Sequence, residues 1–572
     1  MTRTLKVLLT SVALAALSAC ATTTPAPPKP TAAALPPVVS DRSSVYGLYL
    51  AGQTALASGD SPTAAALFAR AQAAKPDAGF IKDRLFISAL MSGDVTKAAS
   101  IAGDTAGGPL VDPSLGYLVQ AVDALADGRG ADAYAKLAAP QQSMGAAALL
   151  KPWTAAAAGR WTDALALPDA NDRLLRLIAS LDQGMLFERA RRYPEAETAF
   201  KALLSDKGAR SLVAEPYGAF LERRGRRAEA VALYDQALID NPDDRQITAA
   251  RKRAAGKGQA PPMQSIREGA AEALMIPAAA TLSDKQEELG LIYLRLILRL
   301  DPSRDDAQVL TGEVLESTGD VRSAREVWLK VGPKSLRYPD ARIRLALSYA
   351  ADDRPTALKI ARETVAARPD SDFAKLNLAD LLRADEQFAE SAKVLDPLID
   401  SLGPRADWQI YYRRAVALER SDHWPEAEKD LDKALALKPD QPEVLNYLGY
   451  SWVNRGVRIK DGMAMIQKAV EFQPEEGAFV DSLGWAYYRL GKFPDAVTTL
   501  ERAVGLEGGD AEINDHLGDA YWRVGRRDEA RFQWQAVLTM KPDAAVKARA
   551  EAKLASAQGP DAVVAADAVQ HP

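Results

Sequence analysis

DSLGWAYYRLGKFPDAVTTLERAV, residues 481–504, is echoed by DHLGDAYWRVGRRDEARFQWQAV, residues 515–537. Gly484 and Gly518 are 34 residues apart, and so are Tyr487 and Tyr521, Gly491 and Gly525, and Ala496 and Ala530. Self-similarity at this period marks a stack of small helical units, each too small to bury its apolar face alone. Gly484 and Gly518 are expected where two antiparallel helices approach too closely for a side chain. Gly491 and Gly525 are expected in the turn between them, where glycine adopts positive φ at little cost. Ala496 and Ala530 supply the small contacts of the second helix. Leu500 and Trp534 fill the gap between repeats, and Pro542 ends its repeat because proline cannot continue a helix.

Working outward, the same frame fits Gly52, Gly59, Ala64, Phe68, Ala71 and Pro76, and again Gly218, Gly225, Ala230, Tyr234, Ala237 and Pro242. Gly312, Gly319, Ala324 and Trp328 form another set; Gly184, Ala196 and Phe200 fit with a short turn. Ala415, Ala427, Ala434 and Pro439 fit with alanine in place of glycine. The repeat of Gly449 and Pro474 needs about one extra residue, expected in the turn at 456–461. Residues 79–175 are Ala- and Gly-rich and hold the frame only at Ala98, Ala133 and Ala164; residues 338–400 keep helical periodicity and Pro369. About thirteen helix pairs are predicted. The period and its signature positions resemble the tetratricopeptide (TPR) repeat, over roughly half of the chain. The resemblance implies an all-α, right-handed superhelical solenoid of helix hairpins.

The expected organisation is a signal peptide at 1–19, a tether at 20–40, an N-terminal repeat block at 41–253 and a linker at 254–263. A C-terminal block with a final capping helix follows at 264–558, then a tail at 559–572. Arg3 and Lys6 flank an apolar run at 7–17 that is too short to span a bilayer and fits a secretory signal. It ends in Leu17-Ser18-Ala19-Cys20, which resembles the bacterial lipobox; Cys20 is the single cysteine of the chain. That resemblance implies a lipidated Cys20, and Ala21, where an aspartate marks inner-membrane retention, points to the outer membrane, periplasmic face. Several acyl chains together give lasting attachment. The Pro-, Thr- and Ala-rich residues that follow read as a semi-extended tether.

In TPR proteins, set positions of each first helix line a concave groove. In the repeat starting near Trp408 these positions include Tyr412 and Arg413; in the next, Asn446, Tyr447 and Tyr450. Trp485, Tyr488 and Arg489 follow, with Asp481, and the last repeat supplies His516, Trp522 and Arg523, with Asp515 and Asp519. The set departs from the Lys/Asn carboxylate clamp of some chaperone-binding members. Aromatics offer contact area at low entropy cost, and Arg and Asn can serve a peptide's carbonyls. For Trp485, Tyr488 and Trp522, packing against the neighbouring repeat is an equal alternative. The arginine groups 189/191/192, 223/224/226/227 and 526/527 read as solvated turns near helix C-termini.

Among 572 residues there are three histidines, and the net charge is −5. One cysteine excludes an intrachain disulfide framework, and the acidic balance argues against nucleic acid. No HExxH, GxSxG, phosphate-loop or EF-hand pattern occurs. No catalytic residue, metal or cofactor is expected. The run NYLGY…DSLGWAYYRLG…DHLGDAYWRVG with the lipobox resembles envelope TPR lipoproteins that bring substrates, often cell-wall enzymes, to a periplasmic carboxyl-terminal processing protease. The resemblance implies a non-catalytic scaffold that holds protein partners, as a peptide or folded segment, in its groove. A structural part in an outer-membrane or secretion assembly is the alternative.

Overall fold

The computed structural model describes residues 44–556 apart from 104–109, 111, 139–144, 168–172 and 206–209. The expected signal sequence at 1–19, Cys20, the expected tether and the expected tail at 559–572 lie outside the described residues. Among those described there are thirty α-helices, one short 3-10 turn at Gly403–Arg405 and no strand. The chain is an all-α repeat solenoid. The helices pair into fourteen hairpins, leaving Arg245–Ala255 and Ala544–Ala555 single.

Two devices recur and explain why the spacing produces hairpins. The first is the turn. In thirteen of the fourteen hairpins at least one turn residue has positive φ. At Gly491 (φ 73°) the amides of Gly491 and Lys492 return to the carbonyls of Tyr488 and Tyr487, both at 2.9 Å. This closes the helix end and reverses the chain. Arg191, Lys285, Glu386 and Asp422 take the same conformation without glycine, a cost of about 1 kcal/mol each that the surrounding packing outweighs. The extra residue of the Gly449 repeat does fall in its turn, where Gly456 and Arg458 both have positive φ.

The second device is a small-to-large interlock. A Cβ on Gly484 would lie 2.6 Å from Leu500 Cγ, and one on Gly184 would lie 2.8 Å from the Phe200 ring. Gly52 faces Phe68, Gly218 faces Tyr234, Gly312 faces Trp328 and Gly518 faces Trp534 in the same way. The large side chain therefore fills the notch of its own hairpin as well as the seam to the next one. Phe68, Phe200, Tyr234, Trp328, Leu500 and Trp534 are all fully buried.

The described residues form two compact units, up to Arg368 and from Pro369. In the first, the weakly matching stretch folds as hairpins with short second helices, Val95–Gly103, Gly130–Leu137 and Trp161–Ala164; Ala98, Ala133 and Ala164 are buried at their framed positions. The residues at 256–265 are non-helical, but they do not divide the units. Arginines from the preceding helices hold them: Arg223 donates to Pro261 O at 3.2 Å, Arg227 to the carbonyls of Gly256 and Gly258, and Arg189 to that of Gln264. Arg223 also grips buried Glu188 in a two-point ion pair at 2.8 and 2.6 Å. These arginines are structural clamps rather than solvated turn residues.

Beyond that strap, the hairpin Ile266–Ser283/Glu287–Leu300 packs back on earlier first helices. Its first helix lies on Gly145–Ala157 and Arg173–Arg189, its second on Gly79–Ser92 and Pro113–Ala126. The second helix is apolar nearly all round, with Leu291, Ile292, Leu294, Leu296, Ile297 and Leu300 buried. Arg295 donates to Met91 O at 3.0 and 3.1 Å, and Arg267 to Ala126 O at 3.0 Å. Each cation thus meets carbonyls left free at a helix C-terminus, where the helix dipole favours it.

Candidate functional site: the inner row of the C-terminal unit

In the second unit the helix Pro442–Asn454 touches Gly477–Arg489, which touches Ala511–Arg523, which touches the closing helix Ala544–Ala555. These first helices thus form one continuous row. The 34-residue period places side chains of equal repeat position beside one another, so the row inherits its chemistry from sequence positions one period apart.

Aromatic rings line it. Tyr412 meets Tyr447 edge-on at 5.7 Å, with Trp408 6.4 Å from Tyr412. Trp485 is stacked on both sides, against Tyr488 at 4.7 Å and 7° and against His516 at 4.2 Å and 16°. Burial raises the Tyr412 phenol to about 12, helped by Glu443. Burial also raises those of Tyr447, beside Glu419, and Tyr450, facing Glu512 and Asp481. All three therefore stay neutral, and Tyr447 donates to Glu419 at 3.1 Å.

The expected arginines are already committed within the chain. Arg413 pairs with Asp380 at 3.3 Å, Arg489 donates to Asn454 O at 2.6 Å, and Arg523 donates to the Tyr488 hydroxyl at 3.1 Å. These contacts brace the row from within the chain. Trp522, one period after Tyr488, also packs inward, against buried Trp534 at 5.6 Å, with Arg527 5.0 Å above its ring. Trp485 and Tyr488 satisfy both readings, since each is tied to the next repeat and only half-buried. Among the described residues, Trp485 Nε1 and Asn446 Oδ1 are buried with no hydrogen-bond partner.

Beneath the rings lies a charged floor. His516 is buried, and its Nδ1 lies 3.0 Å from both oxygens of Asp481. Burial opposes a charged ring, but Asp481, Glu512 and Asp515 outweigh it and push His516 up to about 9. Lys553, from the closing helix, lies 2.8 Å from both Asp515 oxygens and 2.7 Å from Asp519. Burial and Asp515 raise Asp519 to about 6 against the pull of Lys553. Arg549 reaches Asp515 at 3.3 Å. These pairs were within reach of the repeat frame: Asp481, Asp515 and Arg549 are spaced by 34, as are Asp519 and Lys553. The closing helix is simply another first helix. Among the described residues no group of three or more His, Cys, Asp or Glu side chains is set to hold a metal ion.

The tetratricopeptide-repeat family profile matches residues 181–245, 376–442 and 482–561. A TPR repeat-containing protein of Pseudomonas aeruginosa, PA4667, is 37% identical over 90 residues, which is 16% of this chain and 15% of that protein's length. Two solved structures are similar at 14% identity. One is a tetratricopeptide repeat protein from Parabacteroides merdae, covering 42% of this chain and 96% of that one with a TM-score of 0.38. The other is in the APC/C hetero-tetramer Cut9–Hcn1, covering 89% and 96% with a TM-score of 0.36. Those three stretches of the chain are thus similar to tetratricopeptide repeats.

Proposed function

We propose that this chain is a non-catalytic, lipid-anchored adaptor of the bacterial outer membrane that holds protein partners on the inner row of its C-terminal repeats. The observation carrying this reading is the row of partly buried aromatic rings running through Tyr412, Tyr447, Tyr450, Trp485 and Tyr488. Rigid aromatic rings set on paired helices offer area without much ordering cost, which is how protein-binding hot spots are built. The anchor rests on Leu17-Ser18-Ala19-Cys20, with the following Pro-rich residues as spacer. The partner class rests on the resemblance to adaptors of carboxyl-terminal processing proteases: a periplasmic protease, or the cell-wall enzymes it cuts.

The test is photo-crosslinking in intact cells from Tyr412 or Tyr450, each replaced by a photoreactive residue, followed by identification of the captured chains. Capture of a protease or a peptidoglycan enzyme supports the reading. Capture of neither, or only of an integral barrel in fixed stoichiometry, overturns it in favour of an assembly role. Separately, Cys20→Ala should move the chain from the membrane to the soluble fraction. Retention at the membrane would remove the anchor.

A further inference from the structure

We infer that the helix Val45–Ala57 docks on the surface of the lipid bilayer that holds Cys20, so that the chain meets the membrane through its first repeat as well as through its acyl chains. This deepens the lipid-anchored reading and rests on it. Among the described helices, Val45–Ala57 alone has no charged side chain. Its exposed face carries Tyr46, Leu50 and Thr54, each four residues from the last and so on one side of the helix. Tyr46 is 71% exposed and Leu50 47%. The patch continues onto the next hairpin: Tyr49, on the strip beside Tyr46, meets the Phe80 ring edge-on at 5.2 Å, and Phe80 is itself 56% exposed.

A repeat array needs a polar outer face on its terminal helices to stay soluble. The closing helix Ala544–Ala555 has one, where Lys547 and Glu551 lie exposed and 3.9 Å apart. The opening helix turns uncharged groups outward instead. Large apolar side chains gathered at such a place mark a surface that is covered in use.

Two observations favour a bilayer as the cover. Twenty-three residues separate Cys20 from Ser44, where this helix is capped. Whatever path they take, Ser44 stays within roughly 80 Å of the acylated cysteine. Attachment therefore makes docking an intramolecular step that needs little area. A second copy of the chain would need more. Tyr46, Leu50 and Phe80 expose roughly 300 Å² together, against about 800 Å² buried by each partner of a stable protein complex. The chemistry suits an interface: a tyrosine ring enters the apolar layer while its hydroxyl stays in water. At 13 residues the helix lies on the bilayer and does not cross it; among the described residues no helix is long and apolar enough to do so.

The test uses the full acylated chain in phosphatidylcholine vesicles that carry a nitroxide-labelled lipid. With Cys20 acylated, Thr54→Cys supplies one free thiol for a fluorescent dye, and Glu551→Cys supplies the control on the closing helix. The dye at 54 should lose about half of its emission or more, as a group held within about 5–10 Å of the headgroup–acyl boundary would. The dye at 551 should keep its emission. Because the docking face is uncharged, the loss should persist at high salt. Adding Tyr46→Ser and Leu50→Ser should restore emission at 54 while the chain stays with the vesicles. Equal emission at 54 and 551 on vesicles that retain the chain would overturn the docking and leave the anchor standing. A dye at 54 that is shielded from aqueous iodide but untouched by the lipid nitroxide would also overturn it, with protein as the cover. A chain that fails to float with the vesicles at all would remove the anchor itself.

Discussion

At the residue scale the His516–Asp481 pair makes stability depend on pH in a defined window. An unfolded histidine titrates near 6.5, and in the folded chain His516 is pushed up to about 9. Because the folded value is the higher one, the pair's contribution is complete below about pH 6.5 and is lost as pH rises through 9. At most about 3 kcal/mol is at stake. Thermal unfolding of the C-terminal unit should therefore fall between pH 6.5 and 9.5. His516→Gln should be less stable at pH 6, since it leaves Asp481 buried without a charge partner, and should lose that slope. A variant whose melting still declines across the window would locate the titration elsewhere. Gly484 offers a second residue-level test. Valine there would force its Cβ into Leu500, 2.6 Å away, and overpacking of that kind costs about 1–3 kcal/mol. Urea unfolding should show that loss for Gly484→Val and nearly none for a substitution at exposed Gly505, whose Cβ would meet nothing within 4 Å.

At the element scale the closing helix Ala544–Ala555 depends on Lys553. Its ammonium is the main compensation for Asp515 and Asp519, both nearly fully buried. Lys553→Met should destabilise the C-terminal unit by roughly 3–5 kcal/mol, because removing one partner strands the buried carboxylates. The loss should shrink as pH falls below about 6, where Asp519 protonates. Equal loss at pH 4.5 and pH 7.5 would mean that packing, not charge, fastens the helix. This element also marks what could be read in advance. The hairpins were visible at Gly484/Leu500 and Gly518/Trp534 because a small residue and a large one recur at fixed spacing, and the capping helix at 544–556 followed by continuity. The aromatic positions Tyr412, Tyr447, Tyr450, Trp485 and Tyr488 lie on first helices of the C-terminal repeats. Trp522 also packs on Trp534 and Arg527, contacts that the repeat frame alone does not reveal. The roles of Arg489 and Arg523 were opaque: whether an arginine faces a ligand or caps the preceding repeat depends on carbonyls and hydroxyls 35 residues away.

At the scale of the whole chain the main departure from a simple repeat array is the hairpin at 266–300. A solenoid joins each repeat to its neighbours, so damage stays local and folding can spread from any point. The first unit breaks that rule, since Arg295 reaches Met91 and Arg267 reaches Ala126, 204 and 141 residues back. Nothing in the linear pattern announces this; the linker expected at 254–263 reads as a joint because Gly and Pro crowd it, and the clamps from Arg189, Arg223 and Arg227 are what hold this segment. The fold of residues 79–157, with its short second helices, therefore leans on a distant segment for its cover. Gly269→Leu should test that dependence. The side chain would collide with Trp153, lifting the helix from its seat at a cost of about 1–3 kcal/mol. Hydrogen exchange should quicken at 79–92, 113–126 and 145–157, all far from the mutation in sequence, while 442–555 keeps its protection. If exchange rose only around residue 269, the hairpin would be an accessory. If it rose equally in both units, the chain would be one cooperative body rather than two.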